Sequence, residues 1–114
     1  SELYEEFHPA VLHALYQVVQ AARKEKKPVG ICGEMAGNPS AAILLMSMGF
    51  DVLSMNSTSL LVVKYTLSHF DLEQGKNILS KVLGMDNANV IKNFMDKEMH
   101  KAGLSNIVRS RRYG

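Results

Sequence analysis

The sequence has little of three things: cysteine, net charge and long apolar runs. Its one cysteine is Cys32. A lone thiol closes no disulfide within the chain, and no Cys-x-x-Cys pair is present to bind zinc. Disulfide-stapled and zinc-finger classes are therefore excluded, and we expect a reducing, cytoplasmic setting.

Charge and hydropathy argue against two classes of partner. The 13 Lys and Arg residues against 11 Asp and Glu leave a formal charge of +2, which is too near neutral to favour nucleic acid or a membrane surface. The longest apolar stretches, residues 41–46 and 60–63, fall far short of the ~20 residues that span a bilayer. The acidic start lacks the apolar region of a signal peptide. Because it starts with Ser1 and not with methionine, we expect the chain to begin inside a longer protein.

Length and pattern predict an α/β fold. The 114 residues allow one domain, and a complete (β/α)8 barrel needs roughly 200 to 250 residues. Helix, strand, helix and strand alternate at residues Pro9–Lys24, 29–33, Pro39–Met48 and 51–55. The second helix is apolar nearly all round, with Asn38 as its N-cap and Gly49 as its C-cap. This alternation is typical of parallel strands.

The rest of the sequence predicts three helices, each beginning at a capping residue. The expected caps are Ser57 or Thr58, then Asp71 with Gln74 as a capping box, then Asp86 or Asn87. The second and third of these helices should end at Gly84 and near Gly103. The tail, residues 109–114, has no apolar period and is expected to be mobile.

Two parallel strands are too few for a stable sheet. Apolar rows on both faces would meet water unless other strands or helices covered them. The sequence therefore describes a piece of a larger α/β architecture, or a chain that completes its sheet with another subunit. A homodimer is the expected outcome, and terminal helices folded over the bare sheet are the alternative.

Residues 30–39 are the segment that most suggests a chemical function. Cys32 ends the first strand, and the carboxyl ends of parallel strands form the rim where α/β folds place active sites. Glycines on either side let the backbone bend and a ligand come close. From the residues alone two readings stay open for Cys32: a small buried hydrophobic residue, or a reactive thiol.

This segment resembles a known family. Residues 32–39, Cys-Gly-Glu-Met-Ala-Gly-Asn-Pro, closely resemble the cysteine motif of the phosphoenolpyruvate-utilising enzymes, which include Enzyme I of the bacterial phosphotransferase system, phosphoenolpyruvate synthase and pyruvate phosphate dikinase. Residues 8–12 resemble the helix before the motif, residues 49–56 resemble the next strand, and Lys64 matches a lysine in the helix after it. The Glu-Met-Ala-Gly variant is most similar to the nitrogen-related Enzyme I paralogue.

The resemblance implies a fold and a chemistry. The chain, residues 1–114, would be a single partial domain from the C-terminal (β/α)8 barrel: its sixth helix, the seventh and eighth strands with their helices, and the terminal helices. The parent would transfer the phosphoryl group of phosphoenolpyruvate to a histidine and release pyruvate. Cys32 would donate a proton to the enolate, since a thiol with a reference pKa of about 8.5 is mostly protonated yet able to give up its proton. Gly33 and Glu34 would be weaker substrate-binding neighbours.

The resemblance also implies parts that this chain does not hold. Mg2+ would be the cofactor, with no metal ligand in this chain, and the phosphorylated histidine would belong to another domain, so the chain alone should be inactive. The expected partners are phosphoenolpyruvate or pyruvate, a phosphocarrier protein and a second copy of the chain. The four histidines, His8, His13, His69 and His100, match no phosphohistidine motif and are expected to be structural.

Two other classes of function stay open. The first is a non-catalytic dimerisation or interaction module, since exposed strand edges can pair with another chain. The second is a redox or nucleophilic cysteine protein, which the absence of a second, resolving cysteine disfavours.

Overall fold

The computed structural model describes residues 6–113, with the side chains of residues 110–113 excepted. This part of the chain forms a two-stranded sheet and six helices. In chain order the elements are α1 (Pro9–Lys24), β1 (Gly30–Cys32), α2 (Pro39–Met48), β2 (Val52–Ser54), α3 (Ser57–Leu67), α4 (Leu72–Leu83), α5 (Ala88–Lys101) and α6 (Ser105–Tyr113). The predicted mixture of helices with a small parallel sheet is confirmed.

The sheet is parallel, with Gly30, Ile31 and Cys32 facing Val52, Leu53 and Ser54 in that order. Each strand is three residues long, which is shorter than the predicted ranges. Backbone pairing nevertheless continues past both ends. The N–H of Asp51 donates to the Val29 carbonyl at 2.8 Å, and the N–H of Gly33 donates to the Ser54 carbonyl at 3.3 Å.

Helix α2 lies at the centre of the core. Five successive residues, Ala41, Ala42, Ile43, Leu44 and Leu45, have 0% exposure. Helices α3, α4 and α5 and strand β2 all pack against α2, so every side of it meets protein and none needs to be polar. Both predicted ends are confirmed. Asn38 accepts a hydrogen bond from the N–H of Ser40 at 3.0 Å, and Gly49 closes the helix at φ 108°, a left-handed conformation that suits glycine.

The caps of the later helices confirm some predictions and correct others. The capping box is present: the N–H of Gln74 donates to Asp71 at 2.7 Å, and the N–H of Asp71 donates back to Gln74 at 2.8 Å. The expected cap of α3 at Ser57 or Thr58 is wrong. Asn56 caps α3 by accepting from the N–H of Ser59 at 2.9 Å, and asparagine is among the best N-caps. Of the two candidates for α5, Asn87 is the cap.

The sequence predicts no helix beyond Gly103, but α6 runs from Ser105 to Tyr113, and the mobility expected of residues 109–114 stays a prediction. Leu104 precedes α6 and has 0% exposure. Ile107 and Val108 follow it at helical spacing and pack against the same core. This short apolar row docks α6 beside α5, and the charged residues that follow hide the pattern in the sequence.

The two faces of the sheet differ in their surroundings. Ile31 and Leu53 are half-buried against the core, whereas Gly30, Cys32, Val52 and Ser54 form an open face on the other side. Val52 is 56% exposed and is the one large apolar side chain there. The expectation of apolar rows on both faces was therefore too strong. Helices α4 and α5 pack against α2, and within residues 6–113 they leave the open face uncovered.

Asp51 holds together the amino ends of the two strands. Its carboxylate accepts from the N–H of Val29 at 2.8 Å and from the Arg23 guanidinium at 3.3 Å. Arg23 also donates to the Gly49 carbonyl. The Val29 hydrogen bond, followed by that of Arg23, lowers the pKa of Asp51 below its ordinary value of 3.8. One side chain thus links the end of α1 to the beginnings of both strands.

Asp51→Asn tests this link through its pH dependence. A carboxyl with a lowered folded-state pKa stabilises the fold above its unfolded pKa, and that stability is lost as the pH falls through the folded pKa. The unsubstituted chain should therefore lose more stability than the Asp51→Asn variant when the pH is lowered below about 3.8. Urea unfolding at several pH values measures the difference. Asp86→Asn is the matched control, since the exposed Asp86 side chain has no partner among the described residues. Parallel acid profiles for the chain and Asp51→Asn would contradict the link.

Gly75 marks the close approach of α4 to α2. A Cβ at Gly75 would overlap the Ser47 hydroxyl, which is buried and donates to the Ile43 carbonyl at 2.6 Å. We expect Gly75→Ala to lower the free energy of unfolding by about 1 to 3 kcal/mol, an overpacking cost that exceeds the gain in helix propensity.

Two further variants test whether this overlap causes the loss of stability in Gly75→Ala. Gly84→Ala is the control, because its Cβ would meet only the Lys81 carbonyl oxygen at an ordinary 3.5 Å. In Gly75→Ala combined with Ser47→Ala, the nearest remaining atom of residue 47 would be its Cβ at 3.4 Å, so the double variant should recover most of the loss. Chemical denaturation of the four proteins measures this, and a neutral Gly75→Ala would refute the close packing.

Candidate functional site

A cavity of about 690 Å3 lies at the carboxyl ends of β1 and β2. Its wall combines a thiol, two carboxylates and several small polar groups. The side chains that matter for its chemistry are Glu6, Cys32, Glu34, Ser54, Asn56 and Ser59. The site therefore lies at the edge where the sequence predicts it.

Cys32 presents a free, exposed thiol to this cavity. Side chains alternate along a strand, so the inward position of Ile31 places Cys32 on the open face of the sheet. Within the described residues, Cys32 is therefore not the small buried hydrophobic residue of the first reading. The thiol is accessible to a ligand in the cavity.

The turn after Cys32 depends on Gly33. Gly33 has φ 112°, a region that side-chain-bearing residues rarely adopt. A Cβ there would meet no atom within 4 Å, so the requirement is conformational and not one of space. The chain then makes a tight turn in which the N–H of Gly37 donates to the Glu34 carbonyl at 3.1 Å. Buried Met35 and Ala36 anchor this turn in the core.

Two carboxylates line the cavity together with the thiol. Glu34 follows Gly33 directly and is exposed at the cavity. Glu6 comes from the segment before α1, and its carboxylate accepts a hydrogen bond from the side-chain amide of Asn38. Sequence reasoning missed Glu6, because the only signal for it is this contact with a residue 32 positions away. The described residues of the wall include no Lys, Arg or His.

The opposite wall follows β2. Asn56 accepts from the hydroxyl of Thr58 at 2.7 Å and from the N–H of Ser59 at 2.9 Å, which ties the end of β2 to the first turn of α3. A Cβ at Gly37 would meet the Ser59 hydroxyl at 3.1 Å. Gly37 thus lets the turn after β1 lie close against α3.

Comparison with known proteins decides the family. A family model described as "PEP-utilising enzyme, PEP-binding domain" matches residues 1–72. The chain belongs to this family. It is 33% identical over 109 residues to a phosphoenolpyruvate-dependent phosphotransferase system protein of Salmonella typhimurium, covering 96% of this chain and 15% of that protein. It is 37% identical over 101 residues to the phosphoenolpyruvate-protein phosphotransferase of Bacillus subtilis, covering 89% of this chain and 18% of that enzyme. The predicted resemblance is confirmed, and the chain spans less than a fifth of the length of these relatives.

Every side chain named in the cavity falls in the segment that matches the PEP-utilising family. The later helices α4, α5 and α6 lie almost wholly beyond residue 72. The family match thus covers the sheet, α2 and the turn between them, which are the elements that build the site.

The four histidines lie away from this site. His8 caps α1 by accepting from the N–H of Ala10 at 3.1 Å. A ring nitrogen of His13 donates to the Leu83 carbonyl at 2.9 Å, and one of His69 to the Tyr65 carbonyl at 2.8 Å. His100 contacts the Ser105 hydroxyl. Each histidine therefore makes a local contact at or between helices.

Neither a metal centre nor a membrane span emerges in the described part of the chain. No three His, Cys, Asp or Glu side chains come together there in a way that would hold a metal ion. Asp51 and Asp71 act in the strand link and the capping box described above. Among residues 6–113, no helix is both long and apolar enough to cross a bilayer.

Proposed function

We propose that this chain is part of a phosphoenolpyruvate-protein phosphotransferase and supplies the wall of the active site that protonates the enolate. The observation that carries the proposal is the exposed thiol of Cys32 at the strand rim, inside the segment that matches the PEP-binding domain. The similarity to relatives such as the phosphoenolpyruvate-protein phosphotransferase of Bacillus subtilis supports the reaction. The nitrogen-related paralogue remains a prediction.

The proposed reaction has two steps. The bond between phosphorus and the enol oxygen of phosphoenolpyruvate breaks, a bond from phosphorus to a histidine nitrogen forms, and the electron pair stays on the enol oxygen. The methylene carbon of the resulting enolate then takes the proton of the Cys32 thiol. Pyruvate and a thiolate are left, and the thiolate regains its proton from water. In the reverse direction the thiolate is the base that removes a methyl proton of pyruvate.

The charge of the cavity wall orients the substrate. Glu6 and Glu34 are the charged side chains among the described lining residues, and like charges repel a phosphate. In this proposal the phosphate of the substrate is held by cations outside the described lining of this cavity, and its methylene end faces Cys32. Gly33 and Glu34, which line the cavity beside Cys32, are the weaker candidates for substrate contact.

The residues present do not fit a Mg2+ site. Octahedral Mg2+ is bound by carboxylates together with water and substrate phosphate, but within the described residues the acidic side chains do not gather into a group. In this proposal Mg2+ and its ligands belong to the rest of the active site.

The proposed architecture completes the sheet with other strands. Strands β1 and β2 would be the seventh and eighth strands of a (β/α)8 barrel, and their open face would line its interior. Support comes from the half-covered sheet: α2 packs on one side, and the face with Cys32 and Ser54 is open.

Positioning and charge neutralisation supply most phosphoryl-transfer catalysis, so the chain by itself should neither become phosphorylated nor release pyruvate. The proposed partners are a phosphocarrier protein and a second copy of the chain, in a cytoplasmic setting.

An interaction module is the second candidate. Helix α3 exposes an apolar group of side chains: Leu60, Leu61, Val62 and Tyr65. Leu61 is 74% exposed and Tyr65 is 54% exposed; their i, i+4 spacing places them on one face of the helix, and exposed apolar patches mark contact surfaces. This surface suits either the rest of a barrel or a homodimer. It adds an assembly role without replacing the chemistry of Cys32.

Cys32→Ala in the full-length protein tests the proposed function. A positioned general acid contributes about 100-fold to 10,000-fold to rate, so pyruvate release from phosphoenolpyruvate should fall by at least about 100-fold. Cys32→Ser should also be slow, since a hydroxyl is a much weaker acid than a thiol. Steady-state assays with phosphoenolpyruvate and the acceptor protein measure both variants.

The control for Cys32→Ala is stability. Cys32 is exposed, so its truncation should change the free energy of unfolding by no more than about 0.5 kcal/mol. A Cys32→Ala protein that turns over at the parent rate would contradict the proton-donor role.

A further inference from the structure

Ser54 is the cross-strand neighbour of Cys32. The two residues are register partners in the parallel pair, and neighbouring strands lie about 4.8 Å apart. Partners at one register position project from the same face of a sheet, so the hydroxyl and the thiol stand side by side on the open face. Both side chains are exposed, and both line the cavity.

The backbone holds this pair at a fixed spacing. The N–H of Gly33 donates to the Ser54 carbonyl at 3.3 Å, so the residue after Cys32 is bonded to Ser54 itself. The Ser54 hydroxyl has no hydrogen-bond partner among residues 6–113. By contrast, the nearby Thr58 hydroxyl donates its hydrogen bond to the Asn56 side-chain oxygen. The Ser54 hydroxyl is therefore able to donate a hydrogen bond, and it lies next to the thiol.

The proposed reaction needs such a donor. Once Cys32 has given up its proton, a thiolate stands at the cavity wall and is stabilised by a hydrogen-bond donor. The carboxylates of Glu6 and Glu34 are anions and accept only. The Gly33 N–H is already used, and the Asn56 amide and the Ser59 hydroxyl, which also line the cavity, come from positions beyond the end of β2. By register, the hydroxyl of Ser54 is the adjacent group able to donate.

We propose that Ser54 is a positioning residue for Cys32: its hydroxyl donates to the sulfur when the thiolate forms and holds it facing the methylene carbon. Ser54 keeps its own proton throughout, and the thiolate is reprotonated by water. The inference rests on the proposed function of Cys32. It assigns to β2 a part in the chemistry that the cysteine motif on β1 does not contain.

The first test measures the thiol directly. Cys32 is the one cysteine of the chain, so alkylation by iodoacetamide reports on this residue alone. Alkylation proceeds through the thiolate. Loss of one hydrogen bond to the thiolate lowers its population, and the gain in intrinsic nucleophilicity offsets part of that effect. Ser54→Ala should therefore slow alkylation near neutral pH by about twofold to threefold.

Two variants separate the hydroxyl from general effects of substitution. Ser54→Thr keeps a hydroxyl and suits a strand, so it should alkylate at the parent rate. Ser57→Ala is the matched control, because Ser57 is exposed at the start of α3 and its side chain does not line the cavity. Equal alkylation of the chain and Ser54→Ala would overturn the inference, and so would a Ser54→Thr protein as slow as Ser54→Ala.

The second test uses turnover of the full-length protein. Ser54→Ala should lower kcat for pyruvate release by about tenfold, the value of a hydrogen bond to a charged group, with KM for phosphoenolpyruvate little changed, and Ser54→Thr should restore most of it. If Cys32→Ala collapses turnover while Ser54→Ala matches the parent, the inference fails and the proposed function stands. If Cys32→Ala itself turns over at the parent rate, the proposed function fails.

Discussion

Burial of α2 is the constraint on which the rest of the structure depends. Its central residues have no exposure, so the helix is stable only when neighbours surround it. Helices α3, α4 and α5 pack around it, as does β2. Because Asn38, the N-cap of α2, directly follows the turn after Cys32, the burial of α2 also constrains where β1 ends. The position of α2 thus determines both how the apolar core packs and where the thiol lies at the rim of the sheet.

The fold was most predictable where its signals lie close together in the chain. Asn38, Gly49 and the pair of Asp71 and Gln74 act on backbone groups a few residues away, so the sequence alone identifies those helix ends. The last helix was missed because Leu104 and its two apolar followers form too short a row to predict a helix unaided. Its stability comes from docking beside α5, which no local pattern reports.

The site was predictable only along β1. The cysteine motif identifies Cys32, Gly33 and Glu34, and the structure places all three at the cavity. The contribution of Glu6 depends on a contact with Asn38 from a distant part of the chain. The contribution of Ser54 depends on register, since a slip of one residue would turn its side chain to the other face. Neither long-range pairing can be read from spacing in the sequence.

In the proposed function, the cavity wall with its thiol and two carboxylates is one part of an active site, and it protonates a substrate that other residues hold. Alkylation of Cys32 with and without phosphoenolpyruvate tests this most directly, on residues 1–114 and on the full-length protein with Mg2+. The account predicts that phosphoenolpyruvate protects Cys32 in the full-length protein and leaves its alkylation in the 114-residue chain unchanged. Absence of protection in the full-length protein, or equal protection in both, would contradict it.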